Sequence, residues 1–126
     1  MTELLEHFER ATLVLVSGGA LKERLASAYC RHLCGLSRSA IPGEILEDYL
    51  LLFNTLHKEP ASRDEDAVRA SIRKLSLDEA ALCSELIVRM YSQVTRQKLR
   101  LMPREQPPAR AASPALFLTP ASVSQV

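Results

Sequence analysis

Apolar residues recur at every third or fourth position from Leu4 to Val94, a period that suits α-helices packed through greasy sides and little else. Leu4, Phe8, Ala11 and Leu15 stripe a first helix over about residues 3–16. The β-branched run Thr12–Val16 leaves a short strand as the minority alternative there. Ser17-Gly18-Gly19 breaks the element, since paired glycines make poor helix interior and good turns. A second helix over about residues 20–36 carries Leu21, Leu25, Tyr29, His32, Leu33 and Leu36 on one side. Pro42 reads as a first-turn proline, where its missing N–H costs nothing. It opens a third helix to about Leu56, with Ile45, Tyr49, Leu52, Phe53 and Leu56 on its inner face.

Two Ser-x-x-Glu sequences are the sharpest local signals. Ser62-Arg63-Asp64-Glu65 and Ser76-Leu77-Asp78-Glu79 each precede an apolar-periodic run, and each can form a reciprocal capping box. The first is expected to open a short helix bearing Val68, Ile72 and Leu75. The second is expected to start the longest helix, about residues 77–99, with Ala80, Cys83, Leu86, Ile87, Met90, Tyr91 and Val94 on its inner half. After Met102 the composition changes: Pro103, Pro107, Pro108, Pro114 and Pro120 alternate with Ala and Ser, as in a disordered or extended tail. The reading is therefore all-α, a small antiparallel bundle of four to five helices. A helical domain spans 1–102, and a disordered Pro/Ala/Ser-rich C-terminal tail spans 103–126.

At 126 residues the chain has room for one domain and none for a two-domain enzyme. No run approaches the ~18 apolar residues of a membrane span, and Glu3, Glu6 and Glu9 give the N-terminus the wrong charge for a secretory signal. Three cysteines without a Cys-x-x-Cys pair argue against a disulfide scaffold and fit a reducing compartment, so a cytoplasmic location is expected. The net charge of +1 hides an asymmetry: residues 1–94 carry 11 Lys and Arg against 14 Asp and Glu, whereas residues 95–126 carry five basic residues and Glu105 alone. A basic tail on an acidic body can grip an anionic partner, fold back, or simply keep the chain in solution.

Candidate chemistry was weighed against blander roles. Cys30 and Cys34 share a helix face at i, i+4 and could supply two metal ligands. His32, however, lies about 160° from Cys30 at ~100° per residue, so the two cannot serve one ion from the same helix. Cys83 falls inside an apolar stripe and reads as a small buried hydrophobe. His32 is the one odd polar choice on a greasy face, either a functional imidazole or a histidine tucked at the core edge. Glycine spacings for phosphate-loop and dinucleotide sites are missing. The acidic residues cluster at helix starts, where capping and dipole compensation account for them.

Arg69, Arg73 and Lys74 together with Arg96, Lys98 and Arg100 could contact phosphates, and the break at Ser76 loosely suggests a helix-turn-helix. Asp64, Glu65, Asp66, Asp78 and Glu79 flank the first group and would repel nucleic acid. In the tail, Leu116-Phe117-Leu118 is an apolar triplet that would gain from docking on the body or on another protein. Ser124-Gln125-Val126 resembles a minimal terminal ligand for a partner domain. Leu13, Leu51, Leu82 and Val88 lie off the main stripes, so their helices expect burial on a second side, within the bundle or in an oligomer. Small bundles serve many roles, and fold alone carries no functional warrant. The expectation is a protein that is not an enzyme, binds no cofactor and mediates protein–protein contact or self-association. A nucleic-acid-associated regulator and a Cys/His metal protein are the alternatives.

Overall fold

A computed structural model of the chain describes residues 2–101. Five α-helices follow in order: α1 Thr2–Leu15, α2 Leu21–Ala28, α3 Gly43–Leu56, α4 Ala67–Arg73 and α5 Leu77–Leu101. Among the described residues there is no strand, so the segment Thr12–Val16 belongs to the end of α1 and the corner after it. The expected tail, with Leu116, Phe117, Leu118 and Ser124-Gln125-Val126, lies outside the described residues.

The corner between α1 and α2 depends on Gly19, whose φ of 105° is open to glycine and strained for most other residues. The Arg24 guanidinium reaches back from α2 and donates to the Leu15 carbonyl at 2.6 Å, satisfying an orphan group at the end of α1. α2 does not stop at Ala28. The chain continues through a π-helical turn at Tyr29–Leu33, closed by the Cys34 N–H to the Tyr29 carbonyl at 2.8 Å. A 3₁₀ turn at Arg38–Ala40 then leads to α3.

Pro42 stands one position earlier than expected. With φ −61° and ψ 147° it is the extended capping residue itself, and α3 begins at Gly43. The first Ser-x-x-Glu also resolves differently. Ser62 donates its N–H to the Glu65 carbonyl at 2.7 Å in a tight turn, and the cap of α4 is Asp66, whose carboxylate accepts the Arg69 N–H at 2.8 Å. The Glu65 side chain is held elsewhere, by Arg73 at 3.0 Å, and so cannot reach back to Ser62. The second capping box forms as expected: the Ser76 hydroxyl accepts the Glu79 N–H at 3.0 Å, and the Glu79 carboxylate accepts the Ser76 N–H at 2.8 Å. Ser76, through its backbone N–H first and its hydroxyl second, holds the Glu79 carboxyl below the usual glutamate range.

α5 is the central element, packed against α1, α2 and α3. Its expected inner stripe is buried at Ala80, Cys83, Leu86, Ile87, Met90 and Val94, with Tyr91 half-buried at the edge. Phe8, Leu25, Tyr29, Leu33, Ile45, Leu52 and Leu56 complete the core. Each such side chain contributes about 1.5–3 kcal/mol when fully buried. Arg100 donates to Glu44 at 2.8 Å, which sets the end of α5 beside the start of α3 and makes that pair antiparallel. The α3–α4 loop is pinned by Ser71, a buried hydroxyl that accepts the Glu59 N–H at 2.9 Å.

Candidate interaction surface

The four off-stripe residues share one fate. Leu13, Leu51, Leu82 and Val88 are 61%, 55%, 59% and 43% exposed, so the bundle does not cover them. Of the two kinds of extra burial expected from the sequence, burial inside the bundle is therefore excluded. Val16, exposed at 71% just past the end of α1 and off its buried stripe, joins them.

Val16 and Val88 belong to one surface feature. A groove of about 530 Å³ runs between the α1–α2 corner and α5, lined by Leu15, Val16, Leu21, Ala81, Ser84 and Val88. Its charged rim is Arg24, Glu85 and Arg89. The Arg24 side chain is fixed by its bond to Leu15, with its Nε buried and without a partner among the described residues. Glu85 and Arg89 approach one another only to 4.0 Å, and both side chains are more than half exposed. An apolar floor with a small number of charges at its rim is the composition of a protein-docking surface. Sequence reasoning found Val88 and missed Val16, Ala81 and Leu21. The signal for Ala81 and Val88 was present as a second stripe on α5, opposite the buried one. For Val16 it was its place about 100° around the α1 wheel from Leu15.

The thiol and imidazole groups are not brought together in a metal-binding arrangement. The Cys34 thiol donates to the Cys30 carbonyl at 3.0 Å, as a helix-bound cysteine does. Burial first, and Asp66 second, push the Cys30 thiol up. Burial pushes Cys83 up to about 11, which leaves it a protonated, unreactive thiol. No group of three His, Cys, Asp or Glu side chains able to hold a metal occurs among the described residues. His32 sits half-buried in the π turn, and the pKa of its imidazole is lowered by burial first and then by neighbouring Arg10 and Arg31. On the other side of the turn, His57 stacks on Phe53 with ring centroids 4.1 Å apart and meets Tyr29 edge-on at 5.8 Å. That aromatic cluster closes the end of α3.

The basic residues of the nucleic-acid alternative are mostly engaged by carboxylates. Arg73 makes three hydrogen bonds to Glu65 at 3.0–3.2 Å, Lys74 pairs with Glu59 at 3.2 Å, and Arg69 lies 3.9 Å from Asp66. Arg100 is taken by Glu44, while Arg96 and Lys98 have no ion pair among the described residues. No protein-family model, curated protein or solved structure matches the chain.

Proposed function

We propose that the protein is a non-enzymatic interaction module that binds another protein, or a copy of itself, through the groove between the α1–α2 corner and α5. The observation that carries the reading is the joint exposure of Val16 and Val88 on the two walls of one apolar groove. A polypeptide laid along it would remove both side chains from water at a gain of about 25 cal/mol for each Å² of apolar surface covered. The Arg24, Glu85 and Arg89 rim supplies orientation rather than strength. The three thiols, all free, suit a reducing compartment, and we place the module in the cytoplasm. Phosphate binding at residues 69–74 would first have to displace Glu65 and Glu59, so no observation favours that alternative.

The test compares the full chain with a Val16→Asp, Val88→Asp variant in affinity purification and in a concentration series by light scattering. Both positions face solvent, so the variant keeps its core and its helical circular dichroism. Loss of the associated species, whether a second protein or a second copy, supports the reading. Equal retention by both chains overturns it.

A further inference from the structure

α5 presents a second face that its own bundle covers only in part. Opposite the buried stripe, at ~100° per residue, lie exposed Ala81, Val88 and Leu99 and half-buried Ser92, with exposed Leu77 and half-buried Ser84 and Thr95 along one edge. The other edge carries Asp78, Glu85, Arg89 and Arg96. Leu77 and Leu99 are 67% and 65% exposed.

The order of residues on this face is symmetric about Val88. Leu77 and Leu99 stand eleven positions to either side, Ala81 and Thr95 seven, Ser84 and Ser92 four. The charged edge is antisymmetric about the preceding residue, Ile87: Asp78 and Arg96 stand nine positions to either side of it, Glu85 and Arg89 two. A helix turned end over end therefore matches itself. Leucine meets leucine, small residue meets small residue, and each carboxylate meets a guanidinium. Under a two-fold axis perpendicular to the helices, an edge faces its own copy, so Asp78 meets Arg96 and Glu85 meets Arg89 of the second chain, each pair occurring twice.

We propose that this chain forms a dimer in which α5 packs antiparallel against α5 of a second copy, with the two-fold axis between Ile87 and Val88, which brings both patterns into register to within one residue. The inference rests on the reading of the groove above and names its partner. Ala81, Ser84, Ser92 and Thr95 are small, so the two helices can approach to the short end of the ~8–10 Å range. Burying their hydroxyls leaves little unsatisfied, because Ser84 already donates to the Ala80 carbonyl at 3.1 Å and Thr95 to the Tyr91 carbonyl at 2.9 Å. The internal Glu85–Arg89 contact, at 4.0 Å and largely in water, surrenders little when each group turns to the second chain. With 25 residues α5 is roughly 37 Å long, and Val16 and Leu21 widen the contact along the groove.

The experiment is sedimentation of the full chain over a concentration series, joined to cysteine cross-linking in a Cys34→Ser background. A residue beside the axis cross-links to itself, so Val88→Cys forms a disulfide-linked dimer under mild oxidation. Ala81→Cys does not, while Ala81→Cys mixed with Thr95→Cys does. Glu85→Arg or Arg89→Glu alone sets like charges together twice and weakens the dimer about tenfold or more. The double exchange Glu85→Arg, Arg89→Glu restores it. A strict monomer at every concentration, Val88→Cys linking no faster than Ala81→Cys, or a double exchange no tighter than the singles would each overturn the proposal. A monomer whose Val16→Asp, Val88→Asp variant still loses an associated protein sinks the dimer and leaves the groove reading standing. A dimer indifferent to that variant sinks both.

Discussion

Replacing Ser76 by alanine isolates the device that starts α5. The substitution removes the hydroxyl that accepts the Glu79 N–H at 3.0 Å, and it loosens the return bond from the Ser76 N–H to the Glu79 carboxylate at 2.8 Å. Loss of a serine or aspartate N-cap costs about 0.5–2 kcal/mol, typically ~1. For a domain of this size, ~1 kcal/mol lowers Tm by about 4–8 °C. Asp66→Ala is expected to cost a similar amount, because it removes the acceptor of the Arg69 N–H at 2.8 Å. Ser62→Ala is the internal control: its exposed hydroxyl makes only a 3.4 Å contact with the Glu65 carbonyl, so the change stays within about 0.5 kcal/mol. Urea unfolding followed by circular dichroism at 222 nm separates the three. The Glu79 carboxyl adds a pH signature. Its folded pKa is depressed, so its stabilisation is present above the unfolded value of about 4.3 and is lost as pH falls through the folded one. The gap between Ser76→Ala and the parent chain must therefore narrow in acid. A Ser62→Ala cost equal to that of Ser76→Ala, or a gap that widens as pH falls, would refute the reasoning.

Three further outcomes follow from the same contacts. Tyr29 is fully buried and its hydroxyl has no partner among the described residues, so Tyr29→Phe relieves a desolvation cost of about 1–3 kcal/mol and leaves the chain as stable or more so. A loss above about 1 kcal/mol in urea unfolding would contradict that. Leu52→Ala opens a cavity in the core and costs about 2–5 kcal/mol, whereas its exposed neighbour Leu51→Ala changes stability by less than about 0.5 kcal/mol. Equal midpoints for the two variants would show the register of α3 to be wrong. A thiol reagent at pH 8 modifies exposed Cys34 promptly and buried Cys83 only when the chain unfolds, and comparable native-state rates would count against the packing of α5.

Helical period carried most of the fold. The inner stripe of α5 was readable at Ala80, Cys83, Leu86, Ile87, Met90 and Val94 because a lone period of 3.6 over about four turns leaves little room for another arrangement. The two Ser-x-x-Glu sequences show where such local rules stop. At Ser76 nothing competes for Glu79, and the box closes. At Ser62 the neighbouring side chains are engaged over longer distances, Glu65 by Arg73 and Glu59 by Lys74, while the Glu59 N–H donates to the buried Ser71 hydroxyl. The loop shape those contacts impose makes Asp66 the better cap. Pro42 fails for a related reason, since a ring fixed near φ −61° serves a capping residue as well as a first-turn one.

The surface was half legible, and the missing half has a definite cause. A helical wheel at 100° per residue assumes an unbroken α-helix, and the π turn at Tyr29–Leu33 adds one residue to a turn and shifts the phase of everything after it. Tyr29 and Leu33, both on the expected stripe, are buried all the same, and His32, read as functional or tucked at the core edge, is half-buried beside Arg10, Arg31 and His7. On α5, which is regular throughout, the wheel remains valid for 25 residues, and Leu82 and Val88, which it puts off the main stripe, are exposed rather than buried inside the bundle. What a wheel does not contain is the corner at Gly19, which carries Val16 across to Val88 and turns two separate exposed side chains into the walls of one groove. The docking surface is thus a product of regular periodicity on one wall and a single left-handed glycine on the other. On this reasoning Gly19→Val, which forces a β-branched residue into positive φ, would weaken association along with the corner while leaving the outer face of α5 intact.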